Sequence, residues 1–203
     1  MVQDRGGTVP AIIDSLQQDH RNMEQLLQIL EQELAVFNRA ERPDFEIMTG
    51  IVEYFRGYPD QVHHPKEDLV AARLAARDPE RIKVMIDIEA EHGQAGRRLE
   101  RLFRLVEGII NEQEIARATL DAAAAEFIAH ERRHMEIEER ELFPVALAVL
   151  TTDDWVELDA RLRDAGDPLF NRQIEIRFEA LAKRLAAWEL EDEAQRDPFR
   201  EAT

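Results

Sequence analysis

His63-His64-Pro65-Lys66-Glu67-Asp68 and His134-Met135-Glu136-Ile137-Glu138-Glu139 are two versions of one pattern. In each, a His is followed four residues later by a Glu and then by a second acid. Residues four apart on a helix project from one face, one turn apart. One such pair is also what a surface His–Glu contact looks like, worth roughly a few tenths of a kcal/mol. The repeat carries more weight. Upstream of each pair stands a lone His behind an acid, Asp19-His20 and Glu91-His92, and it precedes the paired His by 43 residues in one half and 42 in the other. Two helical hairpins of one design are implied. Each supplies one His from its first helix and a His/Glu pair from its second.

The surrounding sequence supports helices throughout. Gly and Pro number eight each and fall where helices should begin or end. Thr8-Val9-Pro10 offers a cap and an early proline for a first helix, with Leu16, Met23, Leu27, Leu30 and Leu34 on one face. The turn Glu41-Arg42-Pro43-Asp44 ends it. A second helix is expected from about Asp44 to Arg77, interrupted at Gly57-Tyr58-Pro59 and kinked at Pro65. Asp78-Pro79-Glu80 restarts the chain. The third helix carries Met85, Ile88, Leu99, Leu102 and Val106 on one face. Asn111-Glu112-Gln113-Glu114 reads as a variant capping box for the fourth helix, which runs through Phe127, Ile137 and Leu142 to about Leu150. No segment alternates with period two. The expected fold is all-α: an up-down-up-down four-helix bundle over residues 8–150, followed by a two-helix C-terminal annex over 151–203. In the annex, Thr151-Thr152-Asp153 caps a short helix bearing Trp155, Leu158 and Leu162. Asp167-Pro168 starts another with Phe170, Ile174, Phe178, Leu181, Leu185 and Trp188. That stripe is expected to pack on the bundle or on another subunit. From Glu189 the acidic chain is expected to fray.

Composition narrows the function. There are 43 acidic and 26 basic side chains, a net charge of −17, and no Cys. Disulfides, iron–sulfur clusters and thiol nucleophiles are excluded. The charge argues against nucleic acid and against an anionic membrane surface. The longest uncharged stretch, Leu142 to Thr152, is far below the ~20 apolar residues that span a bilayer. The first residues lack the apolar core of a signal peptide, so a cytoplasmic location is expected.

All six His fall in the bundle and none in the annex. A single His on an apolar stripe is usually a boundary residue making one hydrogen bond. Folded face to face, however, the two hairpins put His20, His63, His92 and His134 with Glu67 and Glu138 in one interior. Without a cation those groups are a buried polar cost. With two cations they are a ligand set, carboxylates bridging and imidazoles terminating. Mixed nitrogen and oxygen ligation suits iron or manganese, and zinc less specifically.

These motifs, with Leu142-Phe143-Pro144 after the second pair, resemble the hemerythrin-like proteins with the HHE cation-binding domain over roughly residues 10–150. The Asp-Trp and Asp-Pro-Leu-Phe segments of the annex are similar to an extension found in a bacterial subgroup. The resemblance implies two iron ions in an Fe-O-Fe centre, with manganese or zinc as substitutes, meeting small ligands such as dioxygen, hydrogen peroxide or nitric oxide. It carries the ligand roles onto His20, His63, Glu67, His92, His134 and Glu138. There is a departure. Oxygen carriers place a second His on helix three, where this chain has Ile88 and Gly96. His64, His130 and Tyr58 are the candidates to fill that gap. The acids Asp19, Glu91 and Glu139 are expected to orient ligand imidazoles. Two functions stay open: redox chemistry of a peroxidase or catalase kind, or non-catalytic binding, sensing or carriage of oxygen or iron. A homo-oligomer through the C-terminal helices is a further expectation.

Overall fold

The computed structural model describes residues 9–82, 88–162, 167, 169–170 and 178–196. Among these the chain is helical with turns between, and no strand occurs. Helix α1 (Ala11–Asn38) buries the predicted stripe, from Leu16 to Leu34. Its N-terminus has no local side-chain cap, and Thr8 lies outside the described residues. The cap comes from the annex instead. The Asp159 carboxylate accepts the backbone N–H of Ala11 at 3.2 Å and of Ile12 at 2.9 Å, filling donors that a helix start leaves free.

The second arm runs on without the expected break. Helix α2 (Phe45–Tyr58) passes through a π-helical turn (Pro59–His63) into α3 (His64–Arg77). Pro59 keeps helical dihedrals, φ −56° and ψ −52°. The irregularity belongs to Pro65, which has no N–H and crowds the carbonyl four residues back. The chain answers by widening, so the N–H of His64 bonds the carbonyl of Pro59, five residues back.

The second hairpin repeats this device. A short turn, α4 (Pro79–Ile82), precedes α5 (Ile88–Ile110), while Met85 lies outside the described residues. Asn111–Glu114 is not a capping box. It is the turn that closes α5, with Asn111 N–H on the Glu107 carbonyl and Gln113 N–H on that of Gly108, each at 2.9 Å. Helix α6 (Arg117–Ile137) starts only after Ala116 and has no side-chain cap. It continues through a π turn (Glu138–Leu142) into α7 (Phe143–Val149), and Phe143 N–H reaches the Glu138 carbonyl, just before Pro144.

Helix α1 packs on α2 and α6, and α5 packs on the same two, closing the four-helix bundle. Its apolar interior is in two pieces. The larger contains Met23, Phe55, Leu102 and Phe127. The smaller contains Ile12, Leu16, Val70, Leu142 and Phe143. Between them in sequence lie His20 on α1, His63, His64 and Glu67 on the second arm, and Glu138 on the fourth.

The annex packs on both pieces. Helix α8 (Thr152–Asp159) opens with a complete capping box between Thr151 and Asp154, and Leu158 and Trp155 join the smaller cluster. Asp154 is buried and receives Arg73 at 2.9 Å and Arg77 at 2.8 Å. Helix α9 (Glu179–Arg196) lies on α1 and α2, with Phe178, Leu181 and Leu185 buried and Trp188 half-buried against the larger cluster. Ile174 lies outside the described residues. Asp167 caps the turn before it, accepting from the N–H groups of Leu169 and Phe170. The expected fraying at Glu189 is not seen, since α9 stays helical to Arg196. No described helix is long and apolar enough to cross a membrane.

Candidate metal centre

Each arm brings polar residues to one place in the bundle interior. Helix α1 supplies Asp19 and His20, and the π turn and α3 supply His63, His64 and Glu67. Helix α5 supplies His92, and α6 with its π turn supplies His134 and Glu138. These side chains form two groups that share Glu67. One is His20, His63, Glu67 and Glu138. The other is His64, Glu67, His92 and His134. Within each, one ligand atom per residue lies within 4.8 Å of every other.

The carboxylates stand between the groups. Glu67 Oε1 lies 2.7 Å from His63 Nε2, while its Oε2 lies 3.3 Å from His92 Nε2. Glu138 Oε2 lies 3.2 Å from His20 Nε2, and its Oε1 lies 3.2 Å from His134 Nε2. Each carboxylate therefore turns one oxygen to each group, which is bridging geometry. Both are buried, and all four oxygens lack a hydrogen bond of good geometry, as do Nε2 of His20, His92 and His134. So many orphaned acceptors at one buried point are costly unless something positive sits among them. Nitrogen and oxygen donors at this density fit two divalent cations.

Electrostatics agree. Burial holds the imidazoles of His64 and His134 down at about 3, so both keep free lone pairs at neutral pH. Burial, and then the charge of Glu67, push Glu138 well above the usual carboxylate range. For Glu67 burial works against the charge, but His63 beside it, with His20 and His92, holds it well below. For His63 burial is likewise opposed, and the carboxylates of Glu67 and Asp19 lift it to about 9.

Outer carboxylates hold the rings. Nδ1 of His20 lies 3.1 Å from Glu139 and Nδ1 of His63 lies 3.1 Å from Asp19. Nδ1 of His64 lies 3.1 Å from Asp60. Such contacts fix the tautomer that leaves Nε2 free toward the centre. Asp60 was not among the residues singled out from the sequence, although its i, i+4 spacing to His64 is a readable signal. Asp19 also accepts from Lys66 Nζ at 2.8 Å. Glu91 has a different task from the one expected. Its carboxylate faces His130 at 3.8 Å and Arg133 at 3.6 Å rather than an imidazole of either group.

Two candidate ligands stand apart from both groups. The Tyr58 hydroxyl donates to Asp19 at 2.9 Å, so it acts one residue removed from His63. His130 places Nε2 3.3 Å from the Glu91 carbonyl. Its ring lies parallel to that of His134 but 6.4 Å away, one helical turn from the centre. His64 is the one of the three gap candidates that is gathered in. Its ring stacks on His92 with centroids 3.7 Å apart. A π turn spreads more residues round each turn than an α turn does, so the turn ending at His63 narrows the angle between His63 and His64.

A four-helix bundle with a buried histidine–carboxylate centre is the architecture of helical metalloproteins that hold paired cations. The hemerythrin HHE cation-binding domain family matches residues 11–146. The chain belongs to that family, and its bundle is a cation-binding domain. Neither curated proteins nor solved structures give a significant match.

Proposed function

We propose that the protein is a non-haem di-iron protein that reacts with small oxidising ligands, hydrogen peroxide or dioxygen foremost. The observation that carries this is the pair of bridging carboxylates, each with one oxygen toward two and three imidazoles respectively. His20 and His63 would hold one iron and His64, His92 and His134 the other, with Glu67 and Glu138 common to both. Bound there, a pair of irons would supply one-electron redox chemistry at each metal, two electrons in all for a ligand. The protein's residues do the rest. Phe143 stacks on the His20 ring at 5.6 Å and keeps water from that side. Asp19, Asp60 and Glu139 keep three imidazoles in the binding tautomer. Lys66, held on Asp19 and Ser15, is the one buried ammonium beside the centre among the described residues.

A second reading is favoured by one observation. With His64 gathered in, the histidines divide three and two, which closes the gap left by Gly96. A centre with one iron so enclosed suits reversible binding or sensing of oxygen. One experiment separates the two. The iron-loaded protein is reduced, exposed to air, and followed by absorbance through repeated cycles, with hydrogen peroxide consumption measured alongside. Irreversible oxidation with peroxide turnover supports the redox reading. Reversible cycles without loss of ferrous iron or peroxide consumption establish the carrier or sensor.

A further inference from the structure

One turn beyond His92, on the same face of α5, stands Gly96. A Cβ built on Gly96 meets nothing within 4 Å, so neither crowding nor backbone demands a glycine there. Glycine inside a helix costs stability relative to alanine. What it leaves is open space on both sides. Outward lies a broad basin of about 940 Å³ flanked by Arg97, Arg101 and Arg104. Inward lies a small cavity of about 30 Å³ that ends on His64 and His92. Gly96 lines both.

Phe55, Pro59, Ala95 and Leu99 give the inner cavity apolar walls, and beside the two histidines it has two carboxyl groups, Asp60 and Glu131. Asp60 is already held on His64 at 3.1 Å. Glu131 is 7 % exposed, and its carboxyl makes no hydrogen bond among the described residues. A carboxyl with no protein partner keeps its hydrogen-bonding capacity for whatever enters the cavity it lines. The volume is close to that of one water, which occupies about 30 Å³ in the liquid. A ligand of two or three heavy atoms can be accommodated with a slight outward shift of the walls, whereas a branched organic group cannot.

We propose that Gly96 is the mouth, and the space between it and Glu131 the chamber, through which a ligand of two or three heavy atoms reaches the His64/His92 side of the centre, with the Glu131 carboxyl as the hydrogen-bonding group that orients it. The substrate class is hydrogen peroxide and diatomic gases, not organic hydroperoxides. The inference rests on the di-iron reading above. Glu131 acts as a positioning residue for the bound ligand.

The test uses iron-loaded full-length protein and azide as the probe, with binding followed by absorbance and metal content and helicity measured in parallel. Gly96→Leu should weaken or slow azide binding by at least about tenfold, and Gly96→Ala by less. Glu131→Leu should weaken binding by about tenfold, while Glu131→Gln, which keeps a donor, should restore it to within about threefold. Equal azide binding by wild type and Gly96→Leu at equal iron content overturns the mouth. If Gly96→Leu does not load iron, the wild type decides by size. Ferrous protein should be oxidised by hydrogen peroxide at least about 100-fold faster than by tert-butyl hydroperoxide, and equal rates overturn the chamber. Failure of the wild type to hold iron at all defeats the di-iron reading itself, so the two failures are distinct.

Discussion

The two hairpins carry the same pattern, yet they do unequal work. In the first, Pro65 follows the paired His63 by two residues, so the π turn ends at His63 and brings His64 to the centre. In the second, Pro144 follows His134 by ten residues, so the π turn starts at Glu138 itself. The residue after His134 is Met135, which is buried in the larger apolar cluster. The annex adds to the asymmetry, since α8 lies on α1 and α3 while α9 lies on α1 and α2. Two near-copies of a sequence motif thus diverge because a proline is displaced along one of them. The extra ligand and the attachment of the C-terminal helices both fall to the first hairpin.

The shared carboxylates set the largest effect. Glu67→Ala removes an oxygen from both groups, so it should cost most of the bound iron. The melting temperature of the iron-loaded form should drop by the equivalent of ~4 kcal/mol at a thousandfold ligand excess. The metal-free form should lose clearly less, since what goes there is only the pairing of Glu67 with His63 at 2.7 Å. Elemental analysis with calorimetry of both forms checks this. Equal losses with and without metal would make Glu67 a structural ion-pair residue.

His64→Met turns the first hairpin into a copy of the second. One of two ions should then bind more weakly, by about 10–100-fold or more, a loss at least as large as that of an outer partner. Iron content should fall from two toward one per chain. Met135→His is the reverse experiment, and it should not add a site, since Met135 faces the apolar cluster. A third bound ion in Met135→His, or an unchanged count in His64→Met, would break the comparison.

The annex attachment is a smaller matter. Asp154 is 1 % exposed and bonded to Arg73, Arg77 and Thr151. The side-chain bond from Arg77 holds its carboxyl well below the usual range, against the pull of burial. Its contribution is present above the unfolded value, about pH 4, and is lost as pH falls through the depressed folded value. Asp154→Asn should cost about 1–3 kcal/mol at neutral pH. The difference from wild type should shrink below about pH 4, as measured by denaturant unfolding across pH. Asp159→Ala should cost about 1 kcal/mol by uncapping α1, and it should do so whether or not iron is bound.

Several features were legible because they are local. Helices, their apolar faces and the i, i+4 pairs follow from spacing alone, as do the start of the second helix near Asp44 and the cap at Thr151. The misreadings share a cause as well. Gly57-Tyr58-Pro59 looks like a break, but neighbouring helices hold the chain helical and the strain of Pro65 emerges as a wider turn. Asn111–Glu114 has cap-like residues, yet the left-handed conformation of Glu112, φ 61°, makes it the end of α5. Tyr58 and His130 have ligand chemistry, and only their positions across the bundle show one on Asp19 and the other on Glu91.

The sequence by itself determined the helices, the twofold repeat and the inventory of donors, because periodicity and residue chemistry act over one or two turns. The tertiary structure decided how the donors divide. That Glu67 and Glu138 each face both groups, that His64 rather than His130 or Tyr58 joins them, and that Gly96 opens toward Glu131 all depend on contacts between residues tens of positions apart. The cap on α1 from Asp159 is of the same kind. No local pattern encodes such contacts. They are set by how four amphipathic helices pack and by where two prolines force the backbone to widen.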